Sequence, residues 1–278
     1  LRVGLQQNKI EVSAKASLVA ENYVVLVLED RTRDLKMDRI RRDFIGNISH
    51  ELKTPIGAIS LLAEALQGTT DPGTIEKFTS SLLKESARLT QLVQDVIELS
   101  RLQSAEVLAE AESVEISSVI SDAVERNEQL ANSRGIRILA DQKPGIKVFG
   151  NRDMLTMAIR NLVENAVVYS EPGSQVGIGT SLQDGVVSIA VTDSGVGISA
   201  EDQERIFERF YRVDPSRSRE TGGTGLGLSI VKHVAKIHRG EIKLFSQLGV
   251  GSTFTLRLPA ASDSDPETGT IKLTAEDE

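Results

Sequence analysis

The most informative segment of the chain is Phe44-Ile45-Gly46-Asn47-Ile48-Ser49-His50-Glu51-Leu52-Lys53-Thr54-Pro55. Apolar residues within and after it recur at intervals of three and four, the period of an α-helix: Ile45, Ile48, Leu52, Ile56, Ile59, Leu62, Ala63 and Leu66. At about 100° per residue these side chains form one stripe, and His50 points roughly 180° away from it. The pattern predicts a long amphipathic helix with an imidazole on its solvent side.

The neighbours of His50 favour a chemical role over that of an ordinary surface residue. Pro55 lies inside the predicted helix, where it removes the hydrogen bond to the Glu51 carbonyl and bends the helix beside the imidazole. Glu51 is placed to accept a hydrogen bond from the ring, which would orient it and raise the nucleophilicity of its other nitrogen. The Thr54 hydroxyl, one turn on, could position a water near a modified His50.

Composition excludes several classes of protein. The chain has 278 residues, a net charge of −8, a pI near 5.2 and no cysteine. No basic face offsets the acidic balance, which excludes nucleic acid as the main partner, and the lack of Cys excludes disulfides and thiolate metal sites. No apolar run reaches the roughly 18 residues that span a bilayer. Because the sequence starts at Leu1 within patterned sequence, we expect a longer protein whose upstream part carries membrane spans.

The first part of the chain reads as strands followed by a helical hairpin. Residues 1–30 carry strand patterns at Val3 and Leu5, at 12–18 and at 23–28, and we expect them to be the end of a larger domain, since three strands without a packed face of their own do not make a stable sheet. Residues 31–104 predict helices over 33–66 and 74–102. Two helices of about 45–50 Å with a short loop form an antiparallel hairpin, and a homodimeric four-helix bundle would bury its remaining apolar surface.

The second part, residues 105–260, opens within a polar linker at 104–113, after which the pattern becomes α/β. Predicted helices cover 116–132, 152–169 and 226–238, and predicted strands cover 136–140, 147–149, 176–182, 186–192, 241–246 and 252–258. The tail, 261–278, is acidic, rich in Ser and Thr and free of aromatic residues, which predicts disorder, although a strand at 270–274 stays open.

Two polar clusters of the second part suggest a nucleotide site. Asn161 and Asn165 lie at i and i+4 on one helix face, where their amide oxygens could ligate Mg²⁺ that bridges phosphates. Asp193-Ser194-Gly195-Val196-Gly197-Ile198 follows an apolar strand. Its carboxylate can accept an exocyclic amine, and its glycines let the backbone approach a flat ring closely. Each cluster alone is a weak signal.

A third cluster, Gly222-Gly223-Thr224-Gly225-Leu226-Gly227-Leu228, opens a helix whose free N–H groups favour phosphate. It is neither a Walker loop, since no Lys-Ser/Thr pair closes it, nor a Rossmann turn, since the glycine spacing differs and no strand directly precedes it. Between the glycine clusters, Ile206-Phe207-Glu208-Arg209-Phe210-Tyr211-Arg212 and Arg217-Ser218-Arg219 form a long loop. Loops of that length are commonly lids.

On these motifs the chain resembles the sensor histidine kinases of two-component systems over roughly residues 30–260. His50 lies in the phosphoacceptor box, and the further matches are the asparagine box (Asn161, Asn165), the first glycine box (Asp193–Ile198), the phenylalanine box (Phe207–Phe210) and the second glycine box (Gly223–Leu228). Within the family the chain is most similar to actinobacterial phosphate-responsive sensor kinases. The opening strands resemble the end of a PAS sensor domain, and Asp30-Arg31-Thr32 resembles its usual exit motif.

The resemblance implies a dimerising helical hairpin and a Bergerat-type ATP-binding α/β sandwich in the cytoplasmic portion of a plasma-membrane sensor. It implies ATP and Mg²⁺ as cofactors and a response-regulator receiver domain as the phosphoryl acceptor. Glu51 would be the base assisting His50, Thr54 the hydroxyl used in dephosphorylating the partner, and Asp193 the reader of adenine. The other implied cofactor-binding residues are Asn161, Asn165, Tyr169, Gly195, Gly197, Ile198, Arg209, Arg212, Gly223, Thr224, Gly225, Leu226, Gly227 and Leu228, of which the two asparagines hold the metal.

The chain departs from the family pattern at one position. Many relatives have Lys before the asparagine-box Tyr, but here Val168 precedes Tyr169, so we expect an arginine of the lid to make the phosphate contact. His233 and His238 match no catalytic motif and are expected to be structural or surface residues.

The predicted function is therefore an ATP-dependent protein-histidine autokinase, with two alternatives. A serine kinase or ATPase of the chaperone-like fold explains the second domain but not the outward His50 with Glu51 and Pro55. A non-catalytic dimeric scaffold is opposed by the intact glycine clusters and asparagines.

Overall fold

The computed structural model describes residues 10–20, 23–102, 111–214, 223–262 and 268–269. The chain forms two compact units, Leu1–Glu85 and Ser86–Glu278. The division falls inside the second long helix, whereas the sequence predicts domain boundaries near residues 30 and 104. Those boundaries stay a prediction. Within the described ranges, none of the helices combines the length and the apolarity that a bilayer crossing requires.

The first unit opens with an antiparallel pair of strands, β1 (Val12–Ala20) and β2 (Tyr23–Asp30). Both predicted strands are confirmed, and the one at Val3 and Leu5 lies outside the described residues. Successive side chains of β2 point to opposite faces of the sheet, and Val24 to Leu28 are all exposed, with Val24 65% and Leu28 62% accessible. This two-stranded sheet therefore has no packed face of its own.

The start of the next helix is tied to these strands by Asp30-Arg31-Thr32. The Thr32 N–H donates to Asp30 Oδ1 at 2.9 Å, the Glu11 N–H donates to Thr32 Oγ1 at 2.7 Å, and the Arg31 N–H donates to the Glu11 carbonyl at 2.8 Å. The hydrogen bonds from Thr32 lower the pKa of Asp30. The segment thus fixes the direction in which the helix leaves the strands.

The helical hairpin consists of α1 (Thr32–Gln67) and α2 (Pro72–Leu102), joined by a short turn. Asp71 caps α2 by accepting from the Thr74 N–H at 2.9 Å, and Pro72 takes the first helical position, where its missing N–H costs nothing. α1 continues through Pro55 as one helix. Both predicted helices are confirmed to within two residues.

The second unit is built on a five-stranded sheet of order β4-β6-β7-β9-β8, in which only the β4–β6 pair is parallel. The strands are β4 (Arg137–Asp141), β6 (Gln175–Gln183), β7 (Val186–Thr192), β8 (Glu241–Gln247) and β9 (Gly251–Pro259). Asp184 and Gly185 join β6 to β7 with φ of 50° and 74°, the two positive values that a tight hairpin turn requires.

Three helices cover one face of this sheet: α3 (Ile116–Ser133), α4 (Arg152–Tyr169) and α5 (Gly227–Ile237). Alternate residues of the central strands are fully buried beneath them, such as Val187, Ile189 and Val191 of β7. The core thus lies between the helices and one face of the sheet, which confirms the predicted α/β sandwich.

A smaller sheet, of order β10-β3-β5, contains two strands that the sequence patterns did not predict. They are β3 (Ala111–Glu115), which pairs with β5 (Lys147–Gly150), and β10 (Thr268–Gly269). The predicted linker at 104–113 is wrong from Ala111, because the short, polar β3 owes its conformation to pairing with β5 and β10. The predicted tail disorder stays a prediction, although Thr268–Gly269 forms the strand β10, and the suggested strand at 270–274 lies outside the described residues.

Candidate phosphoacceptor and nucleotide sites

His50 lies on the exposed side of α1, as the spacing predicts. Asp43, Asn47 and Thr54 are also exposed, whereas Pro55 is buried. The Thr54 hydroxyl donates to the His50 carbonyl at 3.4 Å, and Glu51 is half-buried. The imidazole is therefore accessible to a reaction partner, and the roles of Glu51 and Thr54 stay predictions.

The apolar stripe of the hairpin is only partly covered. Ile45 and Ile56 are 55% and 51% exposed, and Leu61 and Leu83 are 69% and 65% exposed. The prediction that a single hairpin leaves part of its apolar stripe exposed is confirmed at Ile45 and Ile56, because one hairpin has too little surface to cover both edges of α1. Exposed apolar residues of this number are typical of a surface that a partner covers.

The asparagine pair lies on α4, which Asn151 caps by accepting from the Met154 N–H at 3.0 Å. Asn161 is 8% exposed, and its Nδ2 donates to the Met157 carbonyl at 2.9 Å. Its Oδ1 consequently points to the start of α5, where a methyl group placed on Gly227 would lie 2.8 Å away. Asn165, one turn later, is half-buried. One amide oxygen is thus held in place beside a helix N-terminus.

No cluster of three His, Asp or Glu that could hold a metal occurs among the residues that the structure describes. A cation here would depend on the amide oxygens of Asn161 and Asn165 and on oxygens of the nucleotide. This donor set fits Mg²⁺, which usually takes few protein ligands together with substrate phosphates and waters.

Asp193 directly follows β7 and is 7% exposed. Its Oδ1 accepts from the Gly195 N–H at 2.9 Å and from the Ser252 N–H at 3.2 Å. Burial raises the pKa of this carboxyl, and the two backbone hydrogen bonds oppose that shift. The carboxyl group is thus held in place at the C-terminal end of the central strand of the sheet.

The first glycine cluster is packed against protein backbone. A methyl group on Gly195 would lie 2.3 Å from the Tyr169 carbonyl oxygen, and one on Gly197, where φ is +70°, would lie 2.1 Å from the Gln247 carbonyl oxygen. The next residue, Ile198, donates its N–H to Ser246 Oγ at 2.8 Å. The sequence interpretation, that these glycines leave room for a ring, is therefore incomplete, because the chain itself occupies that space.

The second glycine cluster joins the loop to α5. Gly225 has φ of +75° and its carbonyl accepts from the Phe210 N–H at 2.9 Å, while no atom of the described residues lies within 4 Å of a methyl group placed on Gly223. Leu226 is fully buried at the N-cap, and Leu228 is half-buried in the first turn. Thr224 is 7% exposed, and its hydroxyl donates to the Asp95 carboxylate while accepting from the Leu226 N–H at 3.3 Å.

The base of the loop between the glycine clusters is held by aromatic contacts. The Tyr211 hydroxyl donates to Asp202 at 2.5 Å, and the Arg205 guanidinium lies 4.2 Å from the Tyr211 ring. The rings of Phe207 and Phe254 meet edge to face at 6.4 Å. The contact with Phe254 gives Phe207 a packing role.

The candidate loop arginines are placed only in part. Arg212 is half-buried, and burial lowers the pKa of Arg209. Arg217 and Arg219 lie outside the described residues. Val168, at the position of the missing Lys, is half-buried, and its carbonyl accepts from Arg134 Nη2 at 2.9 Å.

His233 and His238 are structural, as predicted. His238 is 4% exposed, its Nε2 accepts from the Asn151 N–H at 3.1 Å, and its Nδ1 donates to the Val234 carbonyl at 2.8 Å. Burial lowers the pKa of His238 and keeps the ring neutral. His233 Nε2 lies 3.1 Å from the Leu102 carbonyl oxygen.

Sequence reasoning missed Asp95 and the ion pair of Glu98 with Arg160, whose charged atoms lie 3.1 Å apart. Asp95 and Glu98 are buried at 5% and 8% exposure. The available signal was the position of Asp95, three residues after Leu92 and four before Leu99, which puts a carboxylate inside an apolar stripe.

Two families match the chain. Residues 40–105 match the His Kinase A (phospho-acceptor) domain, and residues 150–262 match the histidine kinase-, DNA gyrase B- and HSP90-like ATPases. The chain is 47% identical to the sensor-like histidine kinase SenX3 of Mycolicibacterium smegmatis over 260 residues, which are 92% of this chain and 68% of that protein. The chain belongs to the sensor histidine kinases. The predicted family, fold class and enzyme class, a protein-histidine kinase with an ATP-binding domain, are thereby confirmed.

Further relatives support this placement. SenX3 of Mycobacterium tuberculosis is 46% identical over 90% of this chain and 62% of its own length, so the chain spans about two thirds of the curated relatives. The structure of full-length ShkA in complex with AMPPNP is 26% identical in sequence. The match covers 80% of this chain and 47% of the ShkA chain, with a TM-score of 0.57. The structure of histidine kinase ThkA in complex with the response regulator TrrA is 19% identical in sequence. The match covers 95% of this chain and 79% of that chain, with a TM-score of 0.67, and it shows the fold alone.

Proposed function

We propose that this kinase uses ATP to phosphorylate its own His50 and passes the phosphoryl group to an aspartate of a response-regulator receiver domain. The observation that carries the proposal is the exposed position of His50 on an uninterrupted helix, inside the residues that match the phospho-acceptor family. The same chain contains the ATPase-type domain that would supply the phosphoryl group.

In the transfer, one imidazole nitrogen of His50 forms a bond to the γ-phosphorus of ATP, and the bond from that phosphorus to ADP breaks. The proton on the other ring nitrogen passes to the Glu51 carboxylate, the neighbouring side chain in the sequence. The chemical demands on the protein are therefore modest, and most of the rate comes from positioning and from electrostatic stabilisation.

The nucleotide would be held by side chains of the second unit, among them Thr224 of the second glycine cluster, which would lie near the phosphates. Asn161 and Asn165 would bind Mg²⁺, which neutralises phosphate charge, and the fixed direction of Asn161 Oδ1 supports this assignment. Asp193 would accept the adenine amine through Oδ2, since the two backbone N–H groups bind Oδ1. Arg209 or Arg212 would replace the Lys that Val168 lacks.

The partners follow from the exposed surface of the hairpin and from the family. A second copy would cover Ile45, Ile56, Leu61 and Leu83, which gives a homodimer with a four-helix bundle. A receiver domain would dock beside His50. The ThkA structure, which contains the response regulator TrrA, illustrates such a complex for that protein.

We further propose that the chain is the cytoplasmic portion of a plasma-membrane sensor with a PAS-like domain ahead of the hairpin. The exposed apolar residues of β2 support a larger sheet, because a two-stranded sheet is marginal by itself. Recovery of the full-length protein with the membrane fraction of its host cells tests the location, and recovery in the supernatant after ultracentrifugation would contradict it.

The test of the kinase function is incubation with γ-labelled ATP and Mg²⁺. We expect label that is lost in acid and kept in base, as a phosphoramidate requires, and we expect His50→Gln to abolish it. His233→Gln is the matched control, since it removes another of the three histidines and should leave the label in place. Label that persists in His50→Gln would refute the site, and acid-stable phosphoserine would support a serine kinase.

A further inference from the structure

The C-terminal part of α2, residues 86–102, is packed within the second unit through side chains that the proposed function does not use. Leu92, Leu99 and Leu102 are 4%, 1% and 5% exposed. Glu98 pairs with Arg160 of α4 at 3.1 Å, and the Leu102 carbonyl lies 3.1 Å from His233 Nε2 on α5. This part of α2 is thus fastened to both helices that carry candidate nucleotide ligands.

Asp95 lies in the middle of this contact and reaches the second glycine cluster. One of its carboxylate oxygens accepts the Thr224 hydroxyl, and the other accepts from Gln91 Nε2 at 2.7 Å. Asp95 and Thr224 are 5% and 7% exposed, so their hydrogen bond is shielded from water. A hydrogen bond to a charged group in such a setting is among the stronger ones in proteins.

The chemistry of a hydroxyl makes this bond exclusive. A threonine hydroxyl has one proton to donate, and phosphate oxygens and carboxylates are both acceptors. Thr224 is one of the side chains that the proposed function places near the phosphates. It cannot give its proton to a phosphate while it gives it to Asp95.

The negative charge around Asp95 also opposes the binding of a phosphate at Thr224. Asp95, Glu98 and Glu164 lie close enough to influence one another, with Arg160 as the cation among them. Burial raises the pKa of Asp95 and of Glu164, which shows that their surroundings already disfavour negative charge. A phosphate brought to Thr224 would add further negative charge beside Asp95.

We propose that Asp95 is an autoinhibitory group that competes with the phosphates of the nucleotide for the Thr224 hydroxyl. While Asp95 holds the hydroxyl, residues 86–102 stay locked on the nucleotide-binding domain. When phosphate takes the hydroxyl, that contact is released. The inference rests on the proposed function, because it takes Thr224 to be a phosphate ligand.

Calorimetric titration of the whole chain with ADP in the presence of Mg²⁺, and separately with adenosine, tests the competition. We expect Asp95→Ala to bind ADP about tenfold more tightly, the effect of removing one charged hydrogen bond, and to bind adenosine unchanged. Asp95→Asn keeps the shape of the side chain but offers the Thr224 hydroxyl a weaker acceptor, so we expect an intermediate gain in ADP affinity. This variant also serves as a check in case the alanine variant misfolds. Glu76→Ala, which removes an exposed carboxylate from the same helix, should bind both ligands like the wild type.

Hydrogen exchange supplies a second readout. ADP with Mg²⁺ should increase amide exchange over residues 86–102 of the wild type, and adenosine should not. Equal or weaker ADP binding by Asp95→Ala would overturn the inference, because Asp95 would then position Thr224 for phosphate. An equal gain for ADP and adenosine would overturn it too, since the contact would then close the whole pocket. A chain that shows the expected ADP effects but does not label His50 would refute the proposed function and support the competition.

Discussion

Gly227→Ala is expected to weaken Mg²⁺-dependent ADP binding while leaving the stability of the fold nearly unchanged. Gly227 is the first residue of α5, and a methyl group on it would lie 2.8 Å from Asn161 Oδ1. Among the described residues, the next nearest atom is the Asn161 side-chain carbon at 3.5 Å. The substitution therefore acts on one side chain, which can withdraw only by straining its hydrogen bond to the Met157 carbonyl.

The expected magnitudes differ for stability and for binding. Alanine is favoured over glycine inside a helix by up to about 1 kcal/mol, and loss of the Asn161 hydrogen bond costs about 0.5–1.5 kcal/mol. These effects nearly cancel, so the melting temperature should change by no more than about 2–4 °C. Mg²⁺ needs near-ideal ligand geometry, and a displaced oxygen should lower Mg²⁺-dependent ADP affinity by about tenfold or more.

Two neighbouring glycines provide matched controls. Around Gly223 the described residues leave more than 4 Å free, so Gly223→Ala should change neither quantity. Gly225 has φ of +75°, and its methyl group would lie 2.9 Å from the Phe210 Cα. Gly225→Ala should lose about 1–2 kcal/mol of unfolding free energy from the left-handed backbone alone, and more from the close contact.

The assay is calorimetric ADP binding, with Mg²⁺ and with EDTA, together with thermal melts of the four proteins. We expect Gly227→Ala to melt like the wild type and to lose most of the difference between the two binding conditions. Wild-type Mg²⁺ dependence in Gly227→Ala would refute the placement of the metal at Asn161. A loss of stability as large as that of Gly225→Ala would refute the cancellation argument.

Two further predictions concern Thr54 and His238. Thr54→Ala should keep autophosphorylation and weaken dephosphorylation of the receiver domain. The control Ser60→Ala removes an equivalent helix hydroxyl, bonded to a carbonyl at 3.0 Å, and should change neither activity. Equal loss of both activities in Thr54→Ala would count against a separate role of Thr54 in dephosphorylation. Burial lowers the pKa of His238 below its usual 6.5, so the stability that the neutral ring gives is complete above about pH 6.5 and is lost as the pH falls from there through the lowered pKa of the folded protein. His238→Gln keeps an acceptor for the Asn151 N–H but does not titrate, so its melting temperature should fall less than that of the wild type between about pH 7.5 and 5.5; parallel curves would contradict this reasoning.

The sequence predicts the elements with strong periodicity well. Both α4 and β7 begin and end at the predicted residues, because their apolar positions repeat cleanly and turn residues flank them. The strand β3 was missed, since Ala-Glu-Ser-Val-Glu is short and polar and becomes a strand only through its partner β5. Local pattern therefore suffices where an element carries its own apolar face, and fails where pairing alone creates the element.

At the candidate site, the glycine clusters also separate what the local sequence indicates from what depends on distant parts of the chain. Their sequence indicates that side chains are excluded, but not what excludes them. At Gly195, Gly197 and Gly225 the nearest atoms belong to backbone that is distant in the sequence, and at Gly227 they belong to the asparagine of the predicted metal site. Only the last of these glycines contacts a residue of the proposed metal site, and no spacing rule distinguishes it from the other three.

Asp95 marks the limit of inference from one sequence most clearly. A carboxylate within an apolar stripe must find a partner, because burial of an unpaired charge costs several kcal/mol or more. Periodicity could therefore have indicated that α2 meets a polar group at this point. It could not have indicated Thr224, which lies 129 residues away in the sequence. That pairing connects a helix of the phospho-acceptor region to the turn proposed to bind phosphate, so the residue that looks least suited to its helix is the one that joins the helix to the proposed nucleotide site.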